Sequence, residues 1–158
     1  MGVLCEVYIA DRKRFKQYNF RDECNCKNLY RCKCWDEFAA ETYDHIDNHR
    51  VYDRNFAQLL SVLRGKKHRD SVLKEFKLLE NSEEGPWIQK VPADLPKLLA
   101  QATVEDLKTI ADAWCKLIDD VGEGPVEKKL FLDYLRKFQK LCKKAITKKQ
   151  DMYLWTSL

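Results

Sequence analysis

The sequence predicts an α+β fold, a single globular domain in which several helices pack around a small sheet of short strands. Three observations carry this expectation. Leu130, Phe131, Tyr134, Leu135, Phe138, Leu141, Cys142 and Ala145 recur at three- and four-residue steps, which places them on one stripe of a long amphipathic helix from Val126 to Lys149. Segments rich in β-formers stand at the two ends, Val3 to Ala10 and Asp151 to Thr156. Between them, apolar stripes of helical period are separated by glycine and proline breaks. Fully helical, the long segment reaches roughly 36 Å, the diameter of a small domain, so the other elements must pack along it.

In Val3 to Ala10, Val3, Cys5, Val7 and Ile9 fall on one face and Leu4, Tyr8 and Ala10 on the other, so both faces of this strand should be buried. Asp11 to Tyr18 is charged and reads as a short helix, Asn19 to Cys34 has no period, and Trp35 to Tyr43 reads as a helical turn or short helix with Trp35, Phe38 and Ala39 inward. From Asp53 the pattern sharpens: Asp53 can cap, Phe56, Leu59, Leu60 and Leu63 form a stripe, and Gly65 follows where a C-terminal glycine belongs. Val72, Leu73, Phe76 and Leu79 suggest a second helix ending near Asn81, and Trp87 to Val91 a strand after the Glu84-Gly85-Pro86 break. Pro92 suits a helix start, with Leu95, Leu98 and Leu99 inward and Pro96 tolerable only in the first turn. Thr103 and Asp106 form a variant capping box for a helix carrying Val104, Leu107, Ile110, Ala111, Trp114 and Ile118. Val121 to Pro125 then delivers the long helix.

With 158 residues, 45% hydrophobic and 34% charged, the chain has the composition of one soluble domain and too much apolar content for a disordered one. The net charge of +4 is a small excess of 29 basic over 25 acidic residues and does not argue for nucleic acid or an anionic membrane. No stretch approaches the ~20 apolar residues of a membrane span. The chain shows no export signal, so the expectation is a cytoplasmic protein whose seven cysteines are mostly reduced.

The opening Met1-Gly2-Val3-Leu4-Cys5 with Tyr8 and Ala10, the Phe56 to Gly65 segment ending Leu-Arg-Gly, the Val91-Pro92 helix start, Trp114 near a helix end and the closing Tyr153-Leu154-Trp155 resemble a group of uncharacterised bacterial proteins. More remotely the chain is similar to the YfbM-like family of unknown function. The resemblance implies a bacterial cytosolic α+β protein. It implies no activity, catalytic residue or cofactor, and the cysteine-rich segment is not part of it.

That segment holds the sharpest chemical hint. Cys24 and Cys26, then Cys32 and Cys34, form two Cys-x-Cys pairs, and four thiolates satisfy a tetrahedral zinc ion. His45 and His49, at the i, i+4 spacing of a helix, could replace one pair. Structural zinc sites favour two to four residues between paired cysteines, which leaves unligated thiols or a reversible disulfide as the competing readings. On the long helix Lys128, Lys129, Arg136, Lys137, Lys140, Lys143, Lys144, Lys148 and Lys149 make a cationic face. Lysines also gather toward a helix C-terminus because they complement its dipole, and no exposed aromatics interleave with these for base stacking, so nucleic acid is disfavoured. No Gly-x-Gly phosphate loop occurs. Ser61 and Ser71 lie in helical contexts, His68 in a basic run without an evident partner, and Asp119, Asp120 and Glu123 at a helix end.

No catalytic residues or cofactor emerge. The function expected by elimination is non-catalytic binding of another protein, as an inhibitor or immunity-like module. The alternative is a metal-binding (zinc) or redox module on the Cys24 to Cys34 cluster. Oligomeric state is left open.

Overall fold

The structure, a computed structural model, describes residues 4–11, 44–47, 51–80, 87–119 and 128–157. Five strands, β1 (Leu4–Ala10), β2 (Asp44–Asp47), β3 (Lys77–Glu80), β4 (Trp87–Lys90) and β5 (Asp151–Ser157), form one sheet in the order β2-β1-β5-β4-β3. Every neighbouring pair is antiparallel. The two ends of the chain therefore meet at the centre, with Val7 opposite Leu154 and Tyr8 opposite Tyr153. The run of β-formers in β1 reflects burial on both faces. Cys5, Val7 and Ile9 join Met152 and Leu154 in the main core, while Tyr8, Ala10, Tyr153 and Trp155 are buried as well.

Four α-helices occur among the described residues: α1 (Asp53–Leu63), α2 (Asp94–Gln101), α3 (Val104–Asp119) and α4 (Lys128–Lys148), with a 3-10 helix at Asp70–Glu75. The architecture is α+β, as the periodicities indicate. Helix α4 buries Phe131, Leu135, Phe138, Leu141, Cys142 and Ala145 and packs against α2, α3 and the β1–β2 side of the sheet. Burying a leucine or phenylalanine such as Leu135 or Phe138 contributes about 1.5–3 kcal/mol before entropy is charged against it. Edge-to-face contacts run through this interface, Trp114 on Phe131 at 4.8 Å and Phe56 on Phe138 at 5.6 Å. Leu130 and Val104, expected on apolar stripes, are instead largely exposed in the first turns of α4 and α3.

Thr103 and Asp106 do form the reciprocal cap. Asp106 Oδ2 accepts from the Thr103 amide and hydroxyl, both at 2.7 Å, and the Asp106 amide donates to Thr103 Oγ1 at 3.1 Å. These bonds hold the Asp106 carboxyl below the usual aspartate range. Pro96 sits in the first turn of α2, where its missing amide costs nothing. At α1 the capping acceptor is Asn55, whose Oδ1 takes the Tyr52 amide at 2.8 Å, while Asp53 Oδ1 accepts from the adjacent Arg54 amide.

Two expectations are corrected. The helix read from Val72 to Leu79 is a 3-10 helix to Glu75 followed by strand β3. Phe76 turns the chain into an extended conformation as its ring enters the core, and Lys77 onward then pairs with β4 in place of continuing a helix that would bury only one side of so short a segment. His45 lies in β2, opposite Tyr8 and stacked on its ring at 5.5 Å, so the helical spacing assumed for His45 and His49 does not hold at His45. The expectations for Asp11 to Tyr18, Asn19 to Cys34 and Trp35 to Tyr43 fall outside the described residues, apart from Asp11 itself.

Candidate interaction surface

Cys24, Cys26, Cys32, Cys34 and His49 also lie outside the described residues. Among the described residues no three His, Cys, Asp or Glu side chains gather as a metal site. Cys5, Cys115 and Cys142 are buried in the core and none of them is in a disulfide, and burial pushes the Cys142 thiol far above its ordinary range. Burial likewise raises the Tyr134 hydroxyl, beside Cys5 and Cys142. These are inert packing groups.

The surface with most chemistry is the turn after α1. Gly65, at φ +62°, closes α1 in the left-handed conformation, with its amide donating to Val62 O at 2.9 Å and the Lys66 amide to Ser61 O at 3.0 Å. This Schellman closure satisfies the last carbonyls and turns the chain back along the helix. The next residues, Lys66 to Arg69, then lead into the 3-10 helix. Arg64 fixes the corner: Nη1 and Nη2 donate to the two oxygens of Glu75 at 2.9 and 2.7 Å, and Nε donates to Asp94 Oδ2 at 2.7 Å. The guanidinium holds the Glu75 carboxyl below the usual glutamate range, and the carboxylates raise the Arg64 pKa in return.

A cleft of about 390 Å³ opens there, lined by Ser61, Arg64, Lys66, Lys67, Arg69, Val72 and Glu75. Ser61 Oγ lies 3.1 Å from His68 Nδ1, and His68 Nε2 lies 3.9 Å from Asp70 Oδ1. The trio superficially imitates a hydrolytic triad, and its geometry runs the wrong way. The Ser61 hydroxyl donates to Ala57 O at 2.9 Å, an arrangement in which Ser61 Oγ faces His68 Nδ1 as an acceptor, the opposite of the polarity a general base needs. Ser61 is also only 1% exposed, in the last turn of α1, and Asp70 is too far from the ring for a hydrogen bond. The sequence gives His68 no evident partner because Ser61 reaches it only through the Gly65 turn.

The chain passes from the cleft into a sheet edge. Glu75 lines it, and two residues later Lys77 opens β3, the last strand in the order. Leu78 is 46% exposed and Leu79 39%, and a β-bulge between Leu78 and Glu80 interrupts pairing with β4. Among the described residues no strand pairs with the outer side of β3. The opposite edge is different: Lys144 and Lys148 of α4 both donate to Asp44 on β2, holding the helix over that strand. Of the nine basic residues noted on the long helix, Lys128, Arg136, Lys144 and Lys148 are in ion pairs. Helix α4 is therefore less available as a cationic face than its sequence suggests. None of the described helices is long and apolar enough to cross a membrane.

The sequence does not reveal the β3 surface, because Val72, Leu73, Phe76 and Leu79 follow a helical step and only the pairing of Lys77 onward with β4 makes this segment a strand. Comparison of the chain with protein-family models, with curated proteins and with solved structures finds no match.

Proposed function

We propose that the protein is a non-catalytic binding module for another protein, of the inhibitor or immunity type, and that contact is made at the corner formed by the 3-10 helix and β3. The observation that carries this reading is the pair Leu78 and Leu79, both more than a third exposed on a sheet edge that no described strand covers. An apolar edge in water is a liability unless something pairs with it. The Ser61–His68 geometry weighs against chemistry at the adjoining cleft, and the YfbM-like resemblance carries no activity with it.

The test compares the wild-type protein with a Leu78→Thr, Leu79→Thr double variant, which keeps β propensity and removes most of the apolar surface. Partners captured from an extract of the source cells are purified and rebound to each form by calorimetry. The expected result is saturable binding weakened roughly tenfold or more in the variant, with its melting temperature essentially unchanged because both positions are exposed. Equal affinity of the two forms for every purified partner would overturn the assignment of this surface.

A further inference from the structure

We infer that β3 accepts a short, acidic, extended segment of a partner protein as a sixth strand, with the segment's carboxylates reaching Lys77 and the cleft beside it. This rests on the protein-binding reading and specifies how the partner is held. Backbone hydrogen bonds along an edge supply affinity without sequence demand, and side chains at alternate positions supply selectivity.

Charge around the edge selects the occupant. Between Arg64 and Glu80 the chain carries six lysines and arginines against three acidic residues. Arg64 is neutralised by Glu75 and Asp94. Lys66, Lys67, Arg69, Lys74 and Lys77 are exposed, and among the described residues none of them lies within ion-pair distance of a carboxylate. Lys77 is the most pointed case. It stands opposite Lys90 in the β3–β4 register, and Lys90 Nζ is already committed to Asp151 at 2.7 Å. Like charges facing each other across a strand pair are unfavourable, and an acidic residue on an added strand beside Lys77 would relieve this. Glu75, two residues before Lys77, lines the cleft that Lys66, Lys67 and Arg69 also line, so an acidic segment longer than β3 has further cations near the start of the strand to meet.

The same features disfavour other occupants. Shortness, a bulge and an edge lysine are the devices that keep sheet edges from indiscriminate pairing, and β3 has all three. A neutral apolar strand would leave the cations unmatched, and a second copy of this chain would bring an identical excess of positive charge against them. An acidic segment is the one class that satisfies leucines, backbone and lysines together.

The experiment titrates isotope-labelled full-length protein with an end-blocked octapeptide of alternating valine and glutamate, followed by amide resonances. Two control peptides replace glutamate by lysine, or valine by proline, the latter keeping the charge and removing half of the ladder donors. The expected result is saturable shifts at Lys77, Leu78 and Leu79 and in Lys66 to Arg69, weakening as salt is raised. The proline peptide should bind roughly tenfold more weakly, and the lysine peptide should bind only a Lys77→Glu variant. Equal binding of the proline peptide, shifts confined to α4, or self-association through β3 in sedimentation would each overturn strand addition. Should the peptide leave β3 unshifted while the leucine double variant still loses a captured partner, the surface stands and only the mode of binding falls. Retention of that partner by the leucine variant sinks the surface itself.

Discussion

The indole of Trp114 donates its N–H to the backbone carbonyl of Asn55 at 2.8 Å in the interior, joining α3 to the first turn of α1. Around this bond a buried polar line continues. Asn55 Nδ2 donates to Gln58 Oε1 at 3.2 Å, and Gln58 Nε2 donates to Leu117 O at 3.2 Å. Helix α1 can bury Asn55 and Gln58 because each finds a partner; unpaired, such groups would cost more than their burial returns.

Trp114→Phe keeps a ring against Phe131 and removes the donor, so the buried Asn55 carbonyl loses the one bond that ties it to α3 and keeps only its helical ladder. Loss of that bond and of part of the indole volume should cost about 2–3 kcal/mol. Equilibrium urea unfolding would show a lower midpoint at unchanged slope.

Gly65 gives a cleaner backbone test. A Cβ at Gly65 would meet no atom within 4 Å, so Gly65→Ala carries no steric penalty from neighbours and only the cost of a left-handed alanine. That cost should be about 1–2 kcal/mol, with Gly65→Asn closer to wild type because asparagine tolerates the conformation better. Equal stability of the alanine and wild-type proteins in urea would contradict the Schellman closure.

The elements legible in the sequence are those whose periodicity and punctuation agree: β1, β5, α4, the Thr103–Asp106 start of α3 and the Gly65 end of α1. What stayed hidden depends on long-range partners. Asn55, Gln58 and Ser61 are polar residues on a helix with an apolar stripe, yet all three are buried, with Asn55 bonded to Gln58, Gln58 to Leu117 O of α3 and Ser61 to the His68 turn. Strand β3 was illegible for a related reason, since Val72 and Phe76 mimic a helical step and only pairing with β4 decides between the two states. The cationic cleft combines residues whose individual types look like an ordinary basic run. Its meaning comes from the turn at Gly65 and from Arg64 being withdrawn into ion pairs.

Gln139 shows how one polar side chain on α4 completes another helix. Its Nε2 donates to Leu99 O at 3.0 Å and Ala102 O at 2.7 Å, satisfying carbonyls at the end of α2. Gln139→Glu places a carboxylate without donors against two carbonyl oxygens and should lose about 2–3 kcal/mol at neutral pH, more than Gln139→Ala. The glutamate variant should recover part of this in acid, when its protonated carboxyl can donate once. Thermal unfolding of the three proteins at two pH values separates these cases.

The core thiols should be silent in the native state. Cys5, Cys115 and Cys142 are 3%, 1% and 0% exposed, and a buried thiol does not ionise to the reactive thiolate. Alkylation of folded protein, mapped by peptide mass, should leave these three unmodified until denaturant is added. Rapid labelling of Cys142 under native conditions would contradict its place between α4 and the sheet.

Asp44 links the sheet edge to α4, accepting from both Lys144 and Lys148, and those two lysines hold its carboxyl below the usual aspartate range. A carboxyl with a depressed folded pKa stabilises the fold above the unfolded value of about 3.9, and that contribution disappears as pH falls through the folded value. Asp44 is partly exposed, so solvent screening limits the pair of contacts to about 1 kcal/mol. Asp44→Asn should therefore be less stable than wild type by about that amount at neutral pH and equal to it in strong acid. Because Glu75, also depressed by its partner Arg64, is present in both proteins, the difference between the two curves isolates Asp44. High salt should shrink the neutral-pH gap, since the lysine partners are themselves nearly half exposed. A gap that persists unchanged in strong acid would show that Asp44 acts through hydrogen bonding its amide replacement cannot supply, and that the charge of Lys144 and Lys148 is immaterial to holding β2.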